Sequence, residues 1–177
     1  AAPGKYLYDL GTNFSGWVRI GIKNNTGAPG NVITMVPGEI LTKEGLPDQR
    51  VTGMGYHWQY ITNSSLRQSY APRFTYYGFR YVLVTGAVPL EYASENEPGP
   101  VIESLVGEFV YPCVEKNGEF ECSNLLFNQI HRIIIQAVKS NMKSIFTDCP
   151  HREKLGWLEQ THLIGPAVFY NFDVASL

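Results

Sequence analysis

The stretch Phe74-Thr75-Tyr76-Tyr77-Gly78-Phe79-Arg80-Tyr81-Val82-Leu83-Val84-Thr85 decides how the longer, N-terminal part of this chain folds. Read with the two-residue period of a β-strand, it puts Phe74, Tyr76, Arg80, Val82 and Val84 on one face. Tyr77, Phe79, Tyr81 and Leu83 fall on the other. Apolar side chains on both faces predict a central strand buried between layers. The same grammar extends outward. Val18, Ile20 and Ile22 alternate with Arg19, Gly21 and Lys23, and Val32 to Val36 is a short run between Gly30 and the turn Pro37-Gly38. Gly and Pro punctuate the chain as far as about Pro112, and short β-runs separated by such turns predict an antiparallel β-sandwich or barrel.

The pattern changes after Phe120. Ser123 or Asn124 can cap a helix whose apolar positions Leu126, Ile130, Ile133, Ile134, Ala137 and Val138 recur at helical spacing as far as about Lys143. A second helix is expected from Lys154 or Leu155, broken around Gly165-Pro166, with a continuation through Phe172. Between them, Pro150 holds the backbone of Asp148 to Glu153 in a turn. The chain therefore divides into a β-domain over 1–112, a linker over 113–122 and a helical unit over 123–177. So few helices cannot cover their own apolar faces, so the helical unit reads as incomplete, its remaining helices lying elsewhere.

At 177 residues and 44% hydrophobic, the chain is long and apolar enough for one folded domain and the start of another. A formal charge of -2 gives no broad attraction to phosphate, so nucleic acid is not an expected partner. No apolar run approaches the roughly 20 residues of a bilayer-crossing helix, and Ala1-Ala2-Pro3-Gly4-Lys5 has no leader pattern, so no membrane partner is expected either. Three sequons, at Asn13, Asn24 and Asn63, favour a secreted or extracellular protein, with a cytoplasmic or periplasmic bacterial enzyme as the alternative. Cys113 and Cys122 bracket a turn-rich segment that could bring them within disulfide range, although two reduced thiols fit equally well. His57, His131, His151 and His162 show no close pairing and there is no CxxC, so neither metal nor cofactor is expected.

The chemistry concentrates in Asp148-Cys149-Pro150-His151-Arg152-Glu153-Lys154-Leu155-Gly156-Trp157. Arg152 between two acids can lower the pKa of whichever carboxyl it pairs with while burial raises the other, which is what a general acid requires. It can equally bridge two surface acids at a loop-to-helix junction. Trp157 lies four residues after Glu153, so the two would share one face of a helix beginning there. An aromatic beside an acid suits a sugar site, and it also describes a core Trp near a helix N-terminal Glu. Cys149, with His151 nearby, has the residue types of a nucleophile and base, but the Cys-Pro context favours a structural thiol.

The run Asp148-Cys149-Pro150-x-Arg152-Glu153 with Leu155-Gly156-Trp157 resembles the signature of the family 78 glycoside hydrolases, the α-L-rhamnosidases. Tyr8-Asp9-Leu10-Gly11-Thr12-Asn13 with Gly16-Trp17-Val18-Arg19, and Tyr77-Gly78-Phe79-Arg80-Tyr81-Val82, resemble the β-sandwich that precedes their catalytic domain. The resemblance implies an antiparallel β-sandwich followed by the first helices of an incomplete (α/α)6 barrel. It also implies an inverting hydrolase of terminal α-L-rhamnosyl residues on glycosides or polysaccharides. Glu153 matches the general acid. Asp148, Arg152 and Trp157 match sugar-binding positions, while the family's base lies further along the barrel and has no counterpart here. Many members carry Gly-Asp where this chain has Glu159-Gln160, which puts the contribution of both residues in doubt. His151 and His162 are weaker candidates for the cleft. The expected partners are the rhamnoside and the remainder of the catalytic barrel, and the 177 residues alone are expected to be inactive. The rival reading is a non-enzymatic carbohydrate-binding sandwich with a helical remnant, in which Tyr56, Trp58, Tyr60, Tyr76 and Tyr77 form an aromatic platform or, more simply, part of the core.

Overall fold

A computed structural model describes residues 4–53 and 55–175; Ala1-Ala2-Pro3, the start of the run read above for a leader pattern, lies outside them. The β-domain is organised around one strand, β1 (Lys5–Asn24), which is 20 residues long. Its first half pairs antiparallel with β5 (Tyr77–Thr85), from Lys5 opposite Thr85 to Asp9 opposite Tyr81, and again from Phe14 opposite Phe79 to Gly16 opposite Tyr77. Its second half runs between β4 (Arg67–Tyr70) and β7 (Pro100–Phe109). Beyond β5 come β2 (Val32–Gly38) and β3 (Trp58–Ile61), and the two-residue β6 (Val88–Pro89) lies beside β7. All pairings are antiparallel except β6 with β7.

The described residues thus form one hydrogen-bonded sheet of seven strands folded into two layers, with β1 belonging to both. Tyr60 of β3 stacks on Tyr70 of β4 at 4.8 Å, so the outer strands of the two layers face one another. Val18, Ile20 and Ile22 of β1, Ile33 and Met35 of β2, Trp58 of β3, and Phe79, Val82 and Val84 of β5 fill the space between them. The alternation expected of β1 holds. In β5 it holds only in part, because Phe79 turns inward together with Val82 and Val84.

The cause is a bulge. Between Asp9 and Phe14, β1 has four residues where β5 has only Arg80, and Gly11 takes a φ of 80° there. Arg80 spans the irregularity with two hydrogen bonds to the Asp9 carboxylate, each 2.7 Å, and holds that carboxyl down at about 2. Phe74, expected in the strand, instead precedes it, fully exposed with a φ of 58°.

Helix α1 (Leu125–Asn141) begins where expected, with the Asn124 side chain accepting from the Leu126 amide at 3.0 Å, and stops two residues before Lys143. Helix α2 (Leu158–Asn171) starts later than the spacing suggested, and Pro166 lies inside it without ending it. Pro166 removes one backbone hydrogen bond, but Val168 and Phe172 beyond it pack against Val138 and Met142 and keep the helix in place. The linker is not a hairpin. Lys116 pairs with Phe172, the Asn117 amide donates to the Asn171 carbonyl at 3.1 Å, and Cys113, Cys122 and Cys149 are free thiols. The apolar positions Leu126, Ile130, Ile133, Ile134 and Ala137 of α1 are exposed, and only Val138 of that set is buried.

Gly16 is flanked on both edges, by Tyr77 and by Phe109, and a Cβ there would stand 1.9 Å from the Glu108 carbonyl oxygen. Gly16→Ala is expected to destabilise the fold by about 1–3 kcal/mol, as overpacking does. Gly99→Ala, which meets nothing within 4 Å, should change it by less than about 0.5 kcal/mol. Urea unfolding midpoints of the two variants check the contrast.

Candidate active site

The loop between α1 and α2 is built around Asp148. Its Oδ1 accepts the Cys149 amide at 2.7 Å and the Leu155 amide at 3.0 Å, while its own amide donates to the Leu155 carbonyl at 3.0 Å. Its Oδ2 accepts the Trp157 indole Nε1 at 3.2 Å. Burial alone would raise this carboxyl, but the Leu155 amide, the neighbouring Glu153 carboxyl, the Cys149 amide and the indole together hold it below its usual range. Asp148 therefore closes the turn and orients the indole as an anion.

Glu153 is exposed and lies in the turn, its amide donating to the half-buried Cys149 sulfur at 3.2 Å. Trp157 is the N-cap of α2, so the two do not share a helix face; Asp148 brings them together instead. Arg152 is exposed and, among the described residues, forms no ion pair with either acid. The low Asp148 pKa comes from hydrogen bonds, not from the guanidinium. Glu159 is exposed in the first turn of α2, and the half-buried Gln160 donates its amide to the Trp157 carbonyl at 3.1 Å. His162 is exposed. His151 faces the sheet rather than open solvent, with its buried Nδ1 at 3.4 Å from Glu39 Oε2.

The sheet supports this loop from below. Pro150 packs so closely on Gly78 that a Cβ there would be 2.7 Å from the proline ring. Lys154 donates to the Tyr76 carbonyl at 2.5 Å, and its ammonium lies 4.4 Å from the Tyr76 ring centre and 4.5 Å from that of Tyr77. From the end of α1, Lys143 donates to Ser15 Oγ at 2.5 Å and to the Val110 carbonyl, with its ammonium 5.0 Å from the Tyr76 ring. Burial lowers the pKa of both lysines, that of Lys143 to about 8. Sequence reading passed over Lys143, Lys154, Ser15 and Glu39, because lysines near helix ends ordinarily point to solvent.

None of Tyr56, Trp58, Tyr60, Tyr76 and Tyr77 is exposed. Tyr56 and Trp58 tilt against Tyr77 at 4.6 and 5.3 Å, and the two lysines meet Tyr76, so no open aromatic platform forms. Of the three sequons, Asn24 is fully buried and its side chain donates to the Ala28 carbonyl, Asn13 is exposed and donates to Glu39, and Asn63 is exposed with its side-chain oxygen accepting the Ser65 amide. Among the described residues, no three His, Cys, Asp or Glu side chains are grouped to hold a metal.

Two family models match the chain in succession. The bacterial α-L-rhamnosidase concanavalin-like domain covers residues 1–111, and the bacterial α-L-rhamnosidase 6 hairpin glycosidase domain covers 115–177. A concanavalin-like β-domain followed by a 6 hairpin glycosidase domain is the arrangement of a glycoside hydrolase family. The chain belongs to the bacterial α-L-rhamnosidase family. An α-L-rhamnosidase of Formosa agariphila is 31% identical over 98% of this chain, which corresponds to 18% of that protein. The solved α-L-rhamnosidase of Dictyoglumus thermophilum superimposes with a TM-score of 0.84 at 38% identity, covering 97% of this chain and 18% of its own. That of Streptomyces avermitilis, complexed with L-rhamnose, gives 0.79 at 28%, covering 96% and 16%. The chain spans less than a fifth of the length of these relatives.

The Lys143 charge sets a sign for stability against pH. With its pKa lowered from 10.5 to about 8, the folded protein releases this proton before the unfolded chain does. Between the two values the unfolded state binds more protons, so the burial penalty fades and stability rises with pH from about 8 upward. Tyr8, raised from 10.0 to about 12, acts in the opposite sense only above about 10. Urea unfolding from about pH 8 to about pH 10 should show this rise in the wild type, and Lys143→Met should flatten it.

Proposed function

We propose that this chain supplies the acid half of an inverting α-L-rhamnosidase, with Glu153 donating a proton to the glycosidic oxygen as a terminal α-L-rhamnosyl residue departs. The observation that carries the reading is Asp148. One carboxylate, kept anionic, fixes the turn that bears Glu153 and orients the half-exposed Trp157 indole beside it. An anionic acceptor, an aromatic face and a solvent-facing carboxyl are the parts needed to hold sugar hydroxyls, pack against the ring and reach a leaving oxygen. Arg152 is exposed and, among the described residues, has no acid paired with it, which leaves its guanidinium available for a hydroxyl. Gln160 and Glu159 stand in the first turn of α2, directly after Trp157 in the chain, and are assigned to the same sugar site.

Inversion requires a second carboxylate roughly 6.5–9.5 Å away on the far side of the sugar, activating water. In this reading it comes from the rest of the barrel, whose helices also cover the apolar face of α1. The substrate is then a rhamnose-ended glycoside or polysaccharide. An extracellular location rests on the exposed sequons at Asn13 and Asn63, since Asn24 is closed off by the core.

In the full-length enzyme, Glu153→Gln is expected to lower kcat on an aryl α-L-rhamnoside whose leaving group needs protonation by about 10²–10⁴-fold. Unchanged turnover would remove Glu153 from the acid role. The 177-residue chain by itself should show no turnover above background, and robust hydrolysis by it would overturn the need for a base supplied elsewhere.

A further inference from the structure

The exposed Glu153 side chain gains little from packing, so the backbone of its turn must set where it points. That turn is anchored at both ends by Asp148, and between the anchors lies Lys154 with a φ of 56°. Among the described residues only Lys154 and Phe74 adopt a left-handed φ without being glycine. Gly or Asn would take this conformation more readily, so a lysine here needs a reason in its side chain. The side chain has one. It reaches under the loop, donates to the Tyr76 carbonyl at 2.5 Å and rests against the rings of Tyr76 and Tyr77.

We propose that Lys154 is a positioning residue for the general acid, fastening the turn from which Glu153 projects to the strand-leading segment of the β-domain at Tyr76. The β-domain thereby takes part in catalysis without touching substrate. Tyr76 is a firm anchor because the Lys143 ammonium, bonded to Ser15 and Val110, also lies against its ring. A freed Lys154 ammonium would have the neighbouring Glu153 carboxylate as an alternative partner, which adds an electrostatic reason for keeping it occupied beneath the loop. The proposal rests on the reading of Glu153 as proton donor.

The test is made in the full-length enzyme with phenyl α-L-rhamnoside, whose leaving group needs the proton, and 2,4-dinitrophenyl α-L-rhamnoside, whose leaving group does not. Lys154→Met removes the donor, and Lys154→Gly also relieves the left-handed backbone. Both are expected to lose about 30- to 100-fold in kcat on the phenyl substrate, with KM within about 2-fold, and to stay within about 3-fold on the dinitrophenyl one. Lys154→Arg, which keeps a donor and a cation over the rings, should recover most of the loss. Equal losses on both substrates, no loss, or wild-type turnover in Lys154→Gly would overturn the proposal. Glu153→Gln is measured beside them. A flat response to leaving group in that variant removes the acid reading and the proposal with it, whereas a graded Glu153→Gln beside a flat Lys154→Met overturns the role of Lys154 alone.

Discussion

Lys143 carries an ammonium into the seam between β1 and the segment after β7, where it meets a hydroxyl, a carbonyl and an aromatic ring but, among the described residues, pairs with no carboxylate. A charge in that position is tolerated only because every neighbour presents partial negative charge to it, and it loses its proton more readily for being there. The consequence is geometric. Ser15 sits where β1 passes from one layer to the other, Val110 follows β7, and Tyr76 leads into β5, so one cation collects three separate parts of the β-domain onto the end of α1. Lys154 repeats the device a few ångströms away, and Pro150 against Gly78 closes the remaining gap.

That seam is also why the two units act as one support. Polar contacts dominate it, including Gln136 to the Asn13 carbonyl and Lys154 to the Tyr76 carbonyl, while the apolar clusters stay separate, one between the sheet layers and one between the helices. Hydrogen bonds of this kind contribute modestly to stability but define direction well. A loop that holds Asp148, Glu153 and Trp157 in fixed relation gains more from direction than from affinity.

Much of the architecture could be read from residues alone. Val18, Ile20 and Ile22 announced a buried strand face, Asn124 announced a helix start, and the acid-rich run announced the loop. Strict alternation failed at Phe79 because the Asp9–Arg80 bulge shifts the phase, and a bulge depends on pairing between distant segments. Pro166 misled for a similar reason, since packing of Val168 and Phe172 outweighs one lost hydrogen bond. In the site, the types of residue were legible and their wiring was not. Arg152 looked like the partner of two acids, whereas backbone amides and an indole take that place at Asp148. The two buried lysines carry no signature in a linear sequence, because a long flexible cation reveals its destination only once the aromatic it covers has been placed.

The sharing of β1 between layers also orders events during synthesis. Residues 5–24 leave the ribosome ahead of their partners in β4, β5 and β7, which are complete only when Phe109 has been added. At ordinary elongation rates the apolar side of this strand waits on the order of ten seconds without its neighbours. Lys143, translated later still, finds Ser15 already fixed, so the acid loop is laid onto a finished surface instead of helping to shape one. A cell making this protein must therefore shelter a long, sticky strand for as long as its partners take to follow.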